Sequence, residues 1–80
     1  MITPAQCRAA RGLLKWTQED LAANSDVGIM TIRTFETDKA SPRPGTIKLL
    51  KIAFEAAGVE FLTRDGQGVG VQFGAGGGAG

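Results

Sequence analysis

Residues 17 to 39, TQEDLAANSDVGIMTIRTFETDK, constrain the fold more than any other stretch of this 80-residue chain. Thr17 is a good helix N-cap, and Asp20, three residues on, can return the bond as in a capping box. Leu21 and Ala22 supply a short apolar face, and Asn24-Ser25-Asp26 is a cluster of turn formers. After it the spacing predicts a second helix from Gly28 to Glu36, with Val27, Ile32 and Phe35 facing inward. Two short helices joined by a tight turn cannot bury their apolar sides alone, so they need flanking helices.

The flanking sequence supplies them. Thr3-Pro4-Ala5-Gln6 opens a first helix, with Thr3 as N-cap, Pro4 at the first helical position and Gln6 as capping partner. Ile2, Ala5, Ala9 and Leu13 recur at helical spacing as its inner stripe, and Gly12 to Trp16 brings it to an end. Trp16, the only tryptophan, is expected to anchor the core between the first two helices. Cys7 is expected to be a small packing residue; as the only cysteine it cannot form an internal disulfide. Lys39 to Gly45 reads as a loop whose two prolines stop the third helix. A fourth helix then begins at Pro44, with Ile47, Leu50, Phe54 and Ala57 as inner stripe, helped by Leu49, Ile52 and Ala53, and Gly58 stops it.

Beyond Gly58 the apolar period changes to two. Val59 and Phe61, then Val69, Val71 and Phe73, flank a turn around Asp65-Gly66, which is a hairpin signature. A two-residue turn carried straight through would put the two apolar sets on opposite faces. Pairing Phe61 with Val71 and Val59 with Phe73 puts them on one face, which favours an odd-length loop with a glycine bulge. A lone hairpin is marginal, so it is either packed on the helices or completed by another copy. Residues 74–80, GAGGGAG, carry no side chain larger than alanine and are expected to be a flexible tail. The fold class is therefore mainly α, four helices with a C-terminal β-hairpin. Its organisation reads as a helical domain over 1–58, a hairpin over 59–73 that can serve dimerisation, and a glycine-rich tail over 74–80.

At the central stretch the sequence resembles the Cro/repressor (XRE-like) helix-turn-helix family. The matching residues are Thr17-Gln18-Glu19-Asp20-Leu21-Ala22, Val27, Thr31-Ile32, Phe35-Glu36 and Lys39, in one fixed register over roughly residues 3 to 58. Two departures stand out: Asp26 where the family usually has glycine at the turn, and Gly28 where it often has serine as cap. The resemblance implies a DNA-binding regulator whose second motif helix lies in the major groove. It also implies base contacts from Ile29, Met30, Arg33 and Thr34, with Thr37 at the rim, and a partly buried Arg11–Glu36 bridge that assigns Arg11 to structure. Apolar Ile29 and Met30 cannot make bidentate bonds to bases, but they can touch thymine methyls. Their other readings are core filling or a partner surface.

Phosphate candidates follow from position and charge. Thr17 and Gln18 stand at a helix N-terminus, where free amides favour an anion. Lys39, Arg43 and Thr46 flank the start of the fourth helix. The net charge of +1 is weak for a nucleic-acid binder, but Arg33, Lys39, Arg43, Lys48 and Lys51 face only Glu36 and Asp38 in the same stretch. There is no histidine to activate Ser25 or Ser41, so no catalytic constellation, cofactor site or metal site is expected. No apolar run approaches the ~20 residues of a membrane span, and no signal-peptide pattern opens the chain, so the expectation is a cytoplasmic protein. The reading is a sequence-specific DNA-binding transcriptional regulator, acting as a homodimer on double-stranded DNA without a small-molecule site. The alternative is an interaction module, such as an antitoxin or adaptor, that keeps the fold and binds no specific DNA.

Overall fold

A computed structural model describes residues 1–74. They form α1 (Pro4–Leu14), α2 (Gln18–Ser25), α3 (Ile29–Glu36), α4 (Pro44–Ala56), β1 (Val59–Arg64) and β2 (Gln67–Phe73). This is the mainly helical architecture with a C-terminal antiparallel hairpin that the change of period predicts. The Gly74 N–H donates to the Gly58 carbonyl at 2.8 Å, and the rest of the glycine-rich tail lies outside the described residues.

Both expected capping boxes form. In α1 the Gln6 N–H donates to Thr3 Oγ1 at 3.1 Å while Gln6 Oε1 accepts from the Thr3 N–H at 3.0 Å. In α2 the Asp20 N–H donates to Thr17 Oγ1 at 3.0 Å and Asp20 Oδ2 accepts from the Thr17 N–H at 2.9 Å. Asp26 ends α2 in the left-handed region at φ 60°, the conformation for which the usual residue is glycine. Ser25 spans the turn, donating from Oγ to the Leu21 carbonyl at 2.6 Å and accepting from the Val27 N–H at 3.2 Å. Gly28 caps α3 without a side-chain bond.

The core gathers Leu21, Val27, Ile32 and Phe35 from the central pair with Ile47, Leu50, Ala53 and Phe54 from α4. Trp16 is half-buried and stacks on Phe54 with ring centroids 5.8 Å apart, and Phe61 meets Phe54 edge-on at 5.9 Å. That aromatic column joins the helices to β1. Two expected stripes need correction. Ala5 and Ala9 are exposed, and the inner face of α1 is Gln6, Cys7 and Ala10. Burial of Gln6, which hydropathy would place outside, turns the helix by about one residue. Leu49 and Ile52 are 46% and 49% exposed, because α2 and β1 cover only one side of α4.

The hairpin keeps the expected pairing, Val59 with Phe73 and Phe61 with Val71, but not the expected loop. Asp65 and Gly66 make a two-residue turn with φ of 52° and 80°, the positive pair that a type I′ turn needs. The extra residue is Val69, which bulges from β2 where the register shifts between Leu62 and Thr63. The hairpin packs on its own helices, β2 against α1 and β1 against α4. The Gln6 amide donates from Nε2 to the carbonyls of Leu62 at 3.1 Å and Gly70 at 3.0 Å, fastening α1 across both strands.

Gly68 lies against that amide, and a Cβ there would run into it. The Gln6 side chain cannot swing clear without giving up its bonds to both strands. Gly68→Ala should therefore cost about 1–3 kcal/mol, the usual cost of an unsatisfied buried polar group. Denaturant unfolding reads this loss, and the same substitution in a Gln6→Ala background should cost markedly less.

Candidate functional site

The eight residues of α3 divide cleanly between two faces. Ile32, Phe35 and Glu36 are buried, Met30 and Arg33 are exposed, and Ile29, Thr31 and Thr34 are half-buried, with the C-cap residue Thr37 exposed just beyond them. At ~100° per residue, positions 29, 30, 33, 34 and 37 share an arc of roughly 140° away from the core. Met30, Arg33, Thr34 and Thr37 line one shallow concavity of about 410 Å³ with Gln18 from the start of α2 and Lys39 beyond α3. Ile29, Thr17, Arg43 and Thr46 do not line it. Thr17 is occupied as the cap of α2, and Arg43 is the exposed N-cap residue of α4, its carbonyl accepting from the Thr46 and Ile47 N–H groups. Thr46 is half-buried beside it. Thr34 and the C-cap residue Thr37 turn their hydroxyls to the helix backbone: Thr34 donates to the Thr31 carbonyl at 3.1 Å and Thr37 to the Arg33 carbonyl at 2.8 Å.

The inward side of α3 is held by one carboxylate. The Glu36 side chain is 2% exposed and accepts four hydrogen bonds from two helices. Arg11 in α1 donates from Nε to Oε2 and from Nη2 to Oε1, both at 2.7 Å, a bidentate pair. Gln18 in α2 donates to Oε1 at 3.0 Å, and the Cys7 thiol in α1 donates to Oε2 at 3.1 Å. Arg8 also donates to the backbone carbonyl of Glu36. The remaining donor of Arg11, Nη1, meets the Trp16 carbonyl at 3.1 Å, where α1 gives way to α2. These bonds fix how α3 is presented, because α1 and α2 both pin its last turn.

Electrostatics follow from that geometry. Burial pushes the Glu36 carboxyl up, but the hydrogen bonds from Arg11, Gln18 and Cys7 outweigh it and hold it below its ordinary value. Burial, reinforced by the bond to Glu36, drives the Cys7 thiol well above its usual range, so it stays protonated and donating. A carboxyl whose folded value lies below its unfolded one stabilises the fold above the unfolded value, about 4.3. That contribution is lost as pH falls through the folded value. Melting temperature should thus fall steeply below about pH 4.3, and Glu36→Gln, less stable at neutral pH, should flatten that limb. Parallel acid limbs in thermal melts of the two proteins would assign the transition to another carboxylate.

Some of this lay beyond the sequence reading. Sequence position alone links neither Cys7 nor Gln18 to Glu36, although Cys7 stands four residues before Arg11 and must share its face once Arg11 turns inward. Gln18, expected at a phosphate, has both ends of its amide engaged within the protein, since its Oε1 accepts from Arg33 Nε at 3.3 Å. Among the described residues, no three His, Cys, Asp or Glu side chains come together as metal ligands, and no helix is long and apolar enough to cross a membrane.

Compared with known families, residues 8–55 match the model of one described as helix-turn-helix. A comparison with curated proteins gives no match.

Proposed function

Because this chain belongs to the Cro/repressor-type (XRE-like) helix-turn-helix family of DNA-binding regulators, we propose that it reads a specific duplex sequence by laying α3 in the major groove. The observation that carries this reading is the division of α3. Its inner face is pinned through Glu36 to α1 and α2, while Met30, Arg33 and Thr37 are left outside. A helix held rigidly from behind and presenting a guanidinium can meet base edges without first ordering itself. Arg33 is the reader of a guanine edge, Ile29 and Met30 contact thymine methyls, and Thr34 and Thr37 complete the surface. Lys39, Arg43, Thr46 and the amides behind Thr17 take phosphates. The protein works from the cytoplasm without catalytic chemistry of its own.

We place two copies on a two-fold operator. Val69 and Phe73 on the hairpin are 57% and 42% exposed, and a two-stranded sheet has both edges open. Sedimentation of the full chain beside Phe73→Lys reads the association directly. A wild-type monomer on DNA would remove the dimer.

The 63% exposure of Met30 favours a second reading, in which this face docks a protein. An electrophoretic shift against a library of random duplexes, with selection of the retained fraction, separates the two. A regulator enriches a sequence with two related half-sites about ten base pairs apart. A chain that retains every duplex equally, or none, is an interaction module.

A further inference from the structure

The Gln18 side chain stands between a group that only accepts hydrogen bonds and one that only donates them. Its Nε2 donates to Glu36 Oε1 at 3.0 Å, and its Oε1 accepts from Arg33 Nε at 3.3 Å. An ionised carboxylate has no donor and a guanidinium has no acceptor. Only one of the two amide orientations makes both bonds; the flipped one sets carbonyl against carboxylate and NH₂ against guanidinium. Glu36 is itself immobile, because Arg11 grips both of its oxygens and Cys7 adds a third donor. A chain of fixed polarity therefore runs from the buried ion pair through Gln18 to a side chain on the exposed face of α3.

The point of attachment on Arg33 matters. Gln18 takes Nε alone, and Nη1 has only the Met30 sulfur at 3.9 Å. The outer edge of the guanidinium, Nη1 with Nη2, stays available. A guanine can be read by that end-on fork through O6 and N7, or side-on through Nε and Nη2. With Nε engaged, the side-on geometry is closed.

We infer that Gln18 is a positioning residue that sets the specificity of Arg33, holding it for end-on recognition of a guanine. This rests on the DNA-reading function proposed above, and differs from a phosphate role for Gln18. A clamp ordered before binding spares the entropy of immobilising a long side chain, so removing it costs affinity only where Arg33 makes its contact.

The test uses Gln18→Met, which keeps the length of the side chain and removes both bonds while leaving Arg11 and Cys7 on Glu36. In the free protein, ¹⁵N relaxation of the Arg33 Nε–H should show an ordered side chain in the wild type and a mobile one in the variant, with exposed Arg43 and Arg64 as internal references. On DNA, Gln18→Met should lower discrimination by about three- to ten-fold at the base position that Arg33→Ala relaxes. In an Arg33→Ala background it should change discrimination no further. An Arg33 Nε as mobile as those of Arg43 and Arg64 in the wild type overturns the clamp, whatever the DNA result. Equal weakening on every duplex, unchanged by Arg33→Ala, overturns it in favour of a phosphate contact. An ordered Nε released by Gln18→Met, in a wild-type protein that selects no duplex, supports the clamp and overturns the DNA-reading function instead.

Discussion

Replacing Glu36 with alanine should cost on the order of 3 kcal/mol, the low end for breaking a buried ion pair from one side. The low end applies because the Arg11 side chain keeps 21% exposure and can recover part of its hydration. Gln18 and Cys7 lose their acceptor as well, whereas the Arg8 bond to the Glu36 carbonyl survives. At about 0.05–0.15 kcal/mol per residue a domain of this size holds only a few times that stability, so the loss is a large share of it. At roughly 4–8 °C per kcal/mol the melting temperature should drop by well over 10 °C. Glu36→Gln, which keeps an acceptor oxygen, should fall between alanine and wild type. A shift within the ~0.5 kcal/mol range of ordinary surface substitutions would show that the carboxylate is not a keystone.

The second large effect is on binding. Arg33→Ala should cost roughly 1–3 kcal/mol on the preferred duplex and relax one base position, because a bidentate arginine–guanine contact is lost. Arg43 stands at the start of α4, outside the concavity that holds Arg33, and its expected partner is a phosphate. Arg43→Ala should weaken all sequences alike and lower the slope of log affinity against log salt by about one. Titrating both variants against the preferred duplex and its single-base relatives, at two salt concentrations, separates these outcomes. If Arg33→Ala weakens every duplex equally, Arg33 is a backbone contact, and sequence reading passes to Ile29, Met30, Thr34 and the shape of the DNA.

Much of this architecture is legible before any coordinates. Thr3 with Gln6 and Thr17 with Asp20 announce two helix starts, because a side chain and an amide three residues apart can satisfy each other locally. Hairpin pairing is also legible, since the apolar set must fall on one face and this fixes that one residue is in excess. Parity does not say where the excess residue sits: an odd-length loop satisfies it as well as the bulge at Val69 that the strand adopts. Long-range polar contacts are the least legible. Gln6 is buried because two strand carbonyls far along the chain receive its amide, and no local pattern in α1 announces them. Gln18 hides in the same way: its place at a helix start suggests an anion, and only the meeting of α2 with α3 shows its amide spanning Glu36 and Arg33. Leu49 and Ile52 mislead for the opposite reason, since apolarity all round α4 does not reveal which side the rest of the chain covers.

The amide that joins α1 to the hairpin closes contacts across 56 and 64 residues of sequence. Contacts of such separation form late, because a long loop must close before they give anything back. The first helix can wind with its capping box made and the far side of Gln6 still in water, while the hairpin seats itself afterwards. Interactions made after the barrier leave the rate of folding alone and govern the rate of unfolding. Gln6→Ala is therefore expected to raise the rate of unfolding more than it lowers the rate of folding, a difference that the two limbs of a chevron read separately.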